Sequence, residues 1–173
     1  MNKVTRILIG YWNNKDNMYP EYPMPVPEGI MDVQMYKFHD MLADYLDSGM
    51  ITNRQRGSST CRFTGKSNGS FERCDDKYIW PSGLSHYIRN YHIVLPQDFY
   101  EHIMKNRFKI PEFSIEKSSI FIVDKTDWIN WAVTGEAPLP HIEKEKELID
   151  ALNNEIRLEF DKMVLDNIMA NFS

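Results

Sequence analysis

Apolar positions change their period several times along the chain, and each change predicts an element. Residues 6–12, "RILIGYW", are β-branched and aromatic and predict a buried strand. Over residues 31–48 the period becomes helical. Met35, Phe38, Leu42 and Tyr45 fall at i, i+3, i+7 and i+10, one apolar stripe that Gly49 is placed to end. His39 lies beside the stripe and reads as a boundary side chain. From 59 to 80 the runs "TCRFT", "SFERC" and "KYIW", separated by turn residues, predict a β-meander. Leu84, Tyr87, Ile88 and Tyr91 then return to helical spacing just after Pro81. Residues 95–106 repeat that logic, with Pro96 and Asp98 early, Lys105 late, and Phe99 and Ile103 on one face. "SSIFIVD", 118–124, is apolar on both faces and predicts a central strand. "TDWINWAV" predicts a short helix capped by Thr126 or Asp127.

Two segments fall outside this rhythm. Residues 19–29, "YPEYPMPVPEG", carry four prolines, which forbid a helix or a central strand and favour extended chain. The segment reads as a stiff connector whose tyrosines pack on their own domain, with an SH3-type ligand as the alternative. Residues 142–170 lack Pro and Gly and are strongly helical in composition. Ile149, Leu152, Ile156, Phe160, Met163 and Val164 form one stripe; Leu158, Leu165, Met169 and Phe172 form a second, nearly opposite. A surface helix needs one stripe. Two predict either a helix sandwiched in its own fold or one that offers Leu158, Leu165, Met169 and Phe172 to a partner or a second copy.

The pattern therefore predicts an α+β fold: a small antiparallel β-meander, short helices and a long C-terminal amphipathic helix. It divides the chain into a globular domain, 1–140, containing the proline-rich segment 19–29, and a helical extension, 141–173. Composition fits a folded chain: of 173 residues, 42 % are hydrophobic and 13 % aromatic. The net charge of −5 argues against a general nucleic-acid binder. Most of it falls in the extension, where eight acidic residues face four basic ones. The polar start and the absence of a long apolar run predict neither a secretory leader nor a membrane span, and a cytoplasmic or virion location. Two cysteines are too few for a disulfide framework.

Residues 61–74, "CRFTGKSNGSFERC", concentrate the candidate chemistry. Gly65-Lys66-Ser67 ends like a phosphate loop, but Thr60 stands where the first glycine belongs, and a turn rather than a helix follows. Cys61, Cys74, His86 and His92 are the right ligand types for zinc at the wrong spacing. Twelve residues separate the thiols, and six residues set the imidazoles about 240° apart on a helix. Asn68-Gly69 is a strong hairpin signal; a loop over 66–69 would set Cys61 opposite Cys74. Pairing Cys61 or Cys74 with His86 or His92, or Glu72 with Asp75, would supply acid-base or nucleophilic groups, but no catalytic motif surrounds them, and no catalytic residue is assigned.

"CRFTGKSNGSFE", "YIWPSGLSHYI" and "HIVLPQDF" together resemble an uncharacterised family of small bacterial and phage-encoded proteins. That family's pattern runs Cys-Arg-x-Cys-Gly-x-x-Asn-Gly-Ser, then Trp-Pro-x-Gly-Leu-x-His-Tyr, then His-x-Val-x-Leu-Pro. The resemblance covers residues 59–99 and excludes the last thirty or so. The second cysteine of the pattern is Thr64 here. If the family's Cys-x-x-Cys and two histidines hold a metal, this chain has lost a ligand, and Cys74 would have to replace it. The phage association implies an accessory part of a phage or bacterial assembly. The reading reached is a non-enzymatic protein-interaction or structural component without a cofactor. Tyr11, Trp12, Tyr19, Tyr22, Met24, Trp128 and Trp131 serve as its candidate contact residues. The alternatives are a degenerate zinc-binding module, an immunity or inhibitor-type binder, and a cysteine–histidine enzyme.

Overall fold

The computed structural model describes residues 3–27, 33–54, 56–115 and 120–134, which belong to one unit, Met1–Pro138. Nine elements follow one another among them: β1 (Lys3–Leu8), α1 (Val33–Ser48), β2 (Met50–Arg54), β3 (Phe71–Cys74), β4 (Tyr78–Pro81), α2 (Leu84–Tyr91), α3 (Gln97–Lys105), β5 (Ile120–Asp124) and α4 (Thr126–Thr134). The fold is α+β. The expected C-terminal helix, with Leu158, Leu165, Met169 and Phe172, lies outside the described residues.

The strands form one mixed sheet in the order β2-β3-β4-β1-β5. The antiparallel meander is real but consists of β2, β3 and β4, with Met50 opposite Cys74 and Cys74 opposite Ile79. β1 then joins β4 in parallel, and β5 joins β1 in parallel. Parallel pairs need long crossovers, and the segments β1-α1-β2-β3 and α2-α3 provide them.

α1 packs against α2 and meets β4 at Trp80. The expected stripe of α1 is buried at Phe38, Leu42 and Tyr45, widened by Ala43 and Leu46. Trp80 in β4 is fully buried, its Nε1 donating to Leu46 O at 3.1 Å. Burying an aromatic of that size contributes on the order of 3 kcal/mol, and the indole bond avoids an orphaned donor. Gly49 does end α1, as expected, and its lack of a side chain is needed for space. A Cβ there would strike the Trp80 ring and Arg73 Cβ, so the glycine lets the chain pass into β2 beneath the tryptophan. His39 is not a boundary residue. It is 2 % exposed and stacks on His92, with Nδ1 to Nδ1 at 3.1 Å.

Three further expectations change. "TCRFT" is a turn closed by a single bridge between Thr60 and Ser67, not a strand. β5 lies at the sheet edge rather than at its centre. α4 takes its first hydrogen bond from Asp124, whose Oδ1 accepts the Thr126 amide at 2.9 Å, so the cap lies before the two residues expected to provide it. The proline-rich segment does lie along its own domain: the Asn13 amide donates to Pro23 O at 2.8 Å, and Tyr22 packs on Tyr11 at 6.1 Å.

Candidate functional site

β1 and β4 run parallel and side by side, and the chain leaves both at the same end. β1 continues as Gly10-Tyr11-Trp12, and β4 continues through Ser82-Gly83 into α2. The start of β3 reaches the same place because Glu72 pairs with Pro81. Open sheets form their crevices outside the carboxyl ends of parallel strands. A cavity of about 160 Å³ occupies this position, with Tyr11, Trp12, Phe71, Glu72, Ser82 and Tyr87 among its walls.

The loop over 59–69 builds one wall. Its ends pair through the Ser59 amide to Gly69 O (2.8 Å) and the Asn68 amide to Ser59 O (2.7 Å), and its tip turns at Gly65, φ +71°. Asn68-Gly69 therefore sits at the base of the loop, not at its tip. Its role is contact: Asn68 Nδ2 donates to Gly83 O at 3.1 Å, and Gly69 and Gly83 lack the Cβ atoms that would strike Ser82 and Asn68. Arg62 locks the loop to the strand end. Its Nε donates to Asn13 O (2.9 Å), its Nη2 to Trp12 O (3.0 Å) and its Nη1 to Thr60 O (2.7 Å). The guanidinium is thus spent on main-chain carbonyls.

Inside the cavity wall the Tyr11 hydroxyl donates to Glu72 Oε1. Burial, and then the Glu72 carboxylate, push the phenol pKa far above its ordinary value, so Tyr11 remains a donor. The Trp12 indole N–H and the Ser82 hydroxyl are buried without a hydrogen-bond partner. Trp12 is only 4 % exposed and is held edge-on by Trp128 (5.0 Å) and Tyr87 (6.0 Å). Trp128 is itself buried, its Nε1 bonded to Tyr11 O at 2.7 Å. Trp12 and Trp128 are therefore core residues, not surface contacts. Tyr19 and Met24 are exposed.

The four candidate zinc ligands are not gathered. Cys61 and His86 come together. Burial alone pushes the Cys61 thiol up, but hydrogen bonds from the Thr64 side chain, the Thr64 and Phe63 amides and His86 outweigh it and bring it from 9.0 to about 6. The Tyr91 hydroxyl lies 3.9 Å from the sulfur. Cys74 ends β3 in the core, beside Arg6 and opposite Met50 and Ile79; burial pushes its thiol up to about 11. His92 stacks on His39 instead. Two donors do not make a tetrahedral zinc site, so the residues present do not fit the metal. Cys61 is 2 % exposed, which also keeps its sulfur from an incoming substrate.

Glu72 and Asp75 separate as well. Asp75 is fully buried and is the hub of a different network. Its Oδ1 accepts the amides of Lys77 (2.7 Å) and Tyr78 (2.6 Å), and its Oδ2 accepts Tyr45 Oη (2.6 Å) and faces His102 Nε2 (3.0 Å). Arg6 Nε donates to the Asp75 carbonyl at 2.8 Å. Asp75, Asp76 and His102 bring three possible metal donors within 4.8 Å. However, each lone-pair direction of Asp75 already meets a donor, and the carboxylate reads as a structural clamp between β3, α1 and α3.

β5 is the second feature that stands apart. Nothing among the described residues pairs with its outer edge. Ile120, Ile122 and Val123 are 44 %, 40 % and 45 % exposed. The opposite edge, β2, is interrupted by a register shift between Ile51 and Asn53. β5 has no such interruption: its five residues pair with β1 in register, and the first four are apolar.

No protein-family model, curated protein or solved structure matches the chain. No described helix is long and apolar enough to cross a membrane.

Proposed function

We propose that the protein is a non-enzymatic interaction module that assembles through the outer edge of β5. The exposed, uninterrupted apolar edge carries this reading. Such an edge offers a row of backbone donors and acceptors to an added strand, and alternate side chains give the pairing its register. A second copy suits it. Antiparallel pairing centred on Ile122 would set Ile122 against itself and Phe121 against Val123, with Ile120 against Asp124 at each end. The result would be a continuous sheet across two protomers with closed two-fold symmetry. A part played in a larger phage or bacterial assembly rests on the family resemblance and is compatible with this surface.

The test is the mass of the native protein by sedimentation, compared with Ile122→Lys. The proposal expects a dimer that the substitution converts to a folded monomer, because a lysine at the centre would face its own copy. A monomer before substitution, at about 100 μM, would overturn pairing by a second copy, since obligate partners associate well below that concentration. The alternative of a zinc module draws support only from the Cys61–His86 contact and predicts stoichiometric zinc lost on Cys61→Ser.

A further inference from the structure

The turn between β3 and β4 and the last turn of α3 bring three side chains that can ligate a metal to one point. Asp75 and Asp76 occupy the turn, which the Asp75 amide closes on Tyr78 O at 3.1 Å. His102 reaches them from α3. Its Nε2 lies 3.0 Å from Asp75 Oδ2 and 3.5 Å from Asp76 Oδ1, and one donor atom from each residue falls within 4.8 Å of the other two. Ligands of one ion bound at about 2.1 Å stand about 3.0–3.5 Å apart. These separations therefore match a shared ion as well as they match hydrogen bonds.

Three of the four lone-pair directions of Asp75 are committed, two to the Lys77 and Tyr78 amides and one to the Tyr45 hydroxyl. The fourth meets His102 Nε2, and that contact depends on a proton. Asn106 Nδ2, a donor, lies 3.2 Å from the same nitrogen. It favours the tautomer in which Nε2 accepts and the proton sits on Nδ1. In that tautomer one imidazole lone pair and two carboxylates converge, which is repulsive unless they share a cation.

We propose that Asp75, Asp76 and His102 form a binding site for one divalent transition-metal ion of the zinc or manganese class. Asp75 Oδ2, Asp76 Oδ1 and His102 Nε2 would be its ligands. The Tyr45 hydroxyl and the two amides hold the Asp75 carboxylate from behind, as supporting bonds hold ligating carboxylates elsewhere. The structural clamp and the metal site are compatible, because the ion takes only the direction that His102 otherwise fills with its proton.

The site has an entry. His102, 10 % exposed, and Asp76, 44 % exposed, line an open cavity of about 380 Å³. Its other walls are Lys77, Asp98, Glu101 and Lys105. The ion would sit at the floor, with water on the cavity side completing its coordination. Around the rim the charges of Asp98 and Glu101 balance those of Lys77 and Lys105, so the two ligand carboxylates keep their attraction for a cation. Lys77 Nζ lies over the Tyr78 ring, 4.9 Å from its centre. The donor set decides the class of ion. One imidazole nitrogen beside two carboxylates suits Zn²⁺ or Mn²⁺, whereas Ca²⁺ and Mg²⁺ ask for oxygen donors throughout.

The test is calorimetric titration of the full chain, first stripped with a chelator, with Zn²⁺, Mn²⁺, Mg²⁺ and Ca²⁺ in turn. The proposal expects one equivalent of Zn²⁺ to bind, Mn²⁺ to bind more weakly, and Mg²⁺ and Ca²⁺ more weakly still. Asp76→Asn leaves the contacts of Asp75 in place and should weaken Zn²⁺ by about tenfold or more, as should His102→Gln. Cys61→Ser should leave the affinity unchanged, which separates this site from a zinc module built on Cys61 and His86. If His102→Gln does not fold, Asp76→Asn decides. Paramagnetic Mn²⁺ should also broaden the NMR signals of the His102 ring before those of the other histidines. Absence of Zn²⁺ binding at about 100 μM, an affinity indifferent to Asp76→Asn, loss of binding on Cys61→Ser, or Mg²⁺ bound as tightly as Zn²⁺ would overturn the proposal.

Discussion

At Asp75 two backbone amides, a tyrosine and a histidine converge on one carboxylate. Burial raises its pKa, but the bonds from His102, Tyr45 and the two amides outweigh that and hold it below the usual carboxylate value. Its folded pKa lies below its unfolded one, so its contribution is present above about pH 4 and lost as pH falls through the folded value. Asp75→Asn places an amide N–H against one of the donors. We expect a loss of about 3 kcal/mol in urea unfolding at pH 7; a loss below about 0.5 kcal/mol would show that the network does not clamp the three elements. His39 behaves in the same direction at higher pH. Burial, and then His92, lower it to about 4 against an unfolded value of 6.5. The unfolded chain takes up this proton first, so stability present above pH 6.5 declines as pH falls toward 4. Unfolding midpoints should drop by the equivalent of about 2 kcal/mol between pH 7 and pH 5, and His39→Gln should flatten that slope. Neither residue could be read from the sequence. Asp75 was read only as a possible acid-base partner of Glu72 and His39 as a boundary side chain, because their partners lie thirty and fifty-three residues away and local periodicity carries no such information.

Elements were legible where one face of a helix or strand met the core. α1, α2 and α3 lie where helical spacing placed them, and β3 and β4 where alternating short runs did. The errors share a cause: the same residue pattern serves two purposes. Asn68-Gly69 has the composition of a hairpin tip, but here the small residues allow the loop to touch the start of α2. Gly83→Ala tests that contact. Gly83 is the N-cap of α2, where alanine is disfavoured by a few tenths of a kcal/mol on its own, and a Cβ at 83 also meets both the backbone and the side chain of Asn68. We expect about 2 kcal/mol of destabilisation by thermal melting; a neutral or stabilised variant would mean that the contact is slack. β5 was misplaced for a related reason. A strand apolar on both faces reads as central, yet the same pattern fits an edge strand that another strand covers.

At the scale of the whole molecule, strand order decides what the protein can do. Because β1 lies between β4 and β5 and parallel to both, the ends of β1 and β4 open a cavity and β5 is left outermost. The order was not legible, since nothing in the sequence of 6–12 or 118–124 states which neighbour each strand takes. The candidate site was legible only in part: the loop 59–69 and Glu72 drew attention as chemistry, while Trp12 was read as a contact residue and Ser82 was not singled out. The measurement that tests the assembly reading most directly is amide hydrogen exchange over 120–124 at low and high protein concentration. In a strand paired on one side only, alternate amides face outward and exchange fast. The account predicts that those amides become slow as concentration rises, while the amides bonded to β1 are slow throughout. Outward amides that exchange equally fast at every concentration would contradict it.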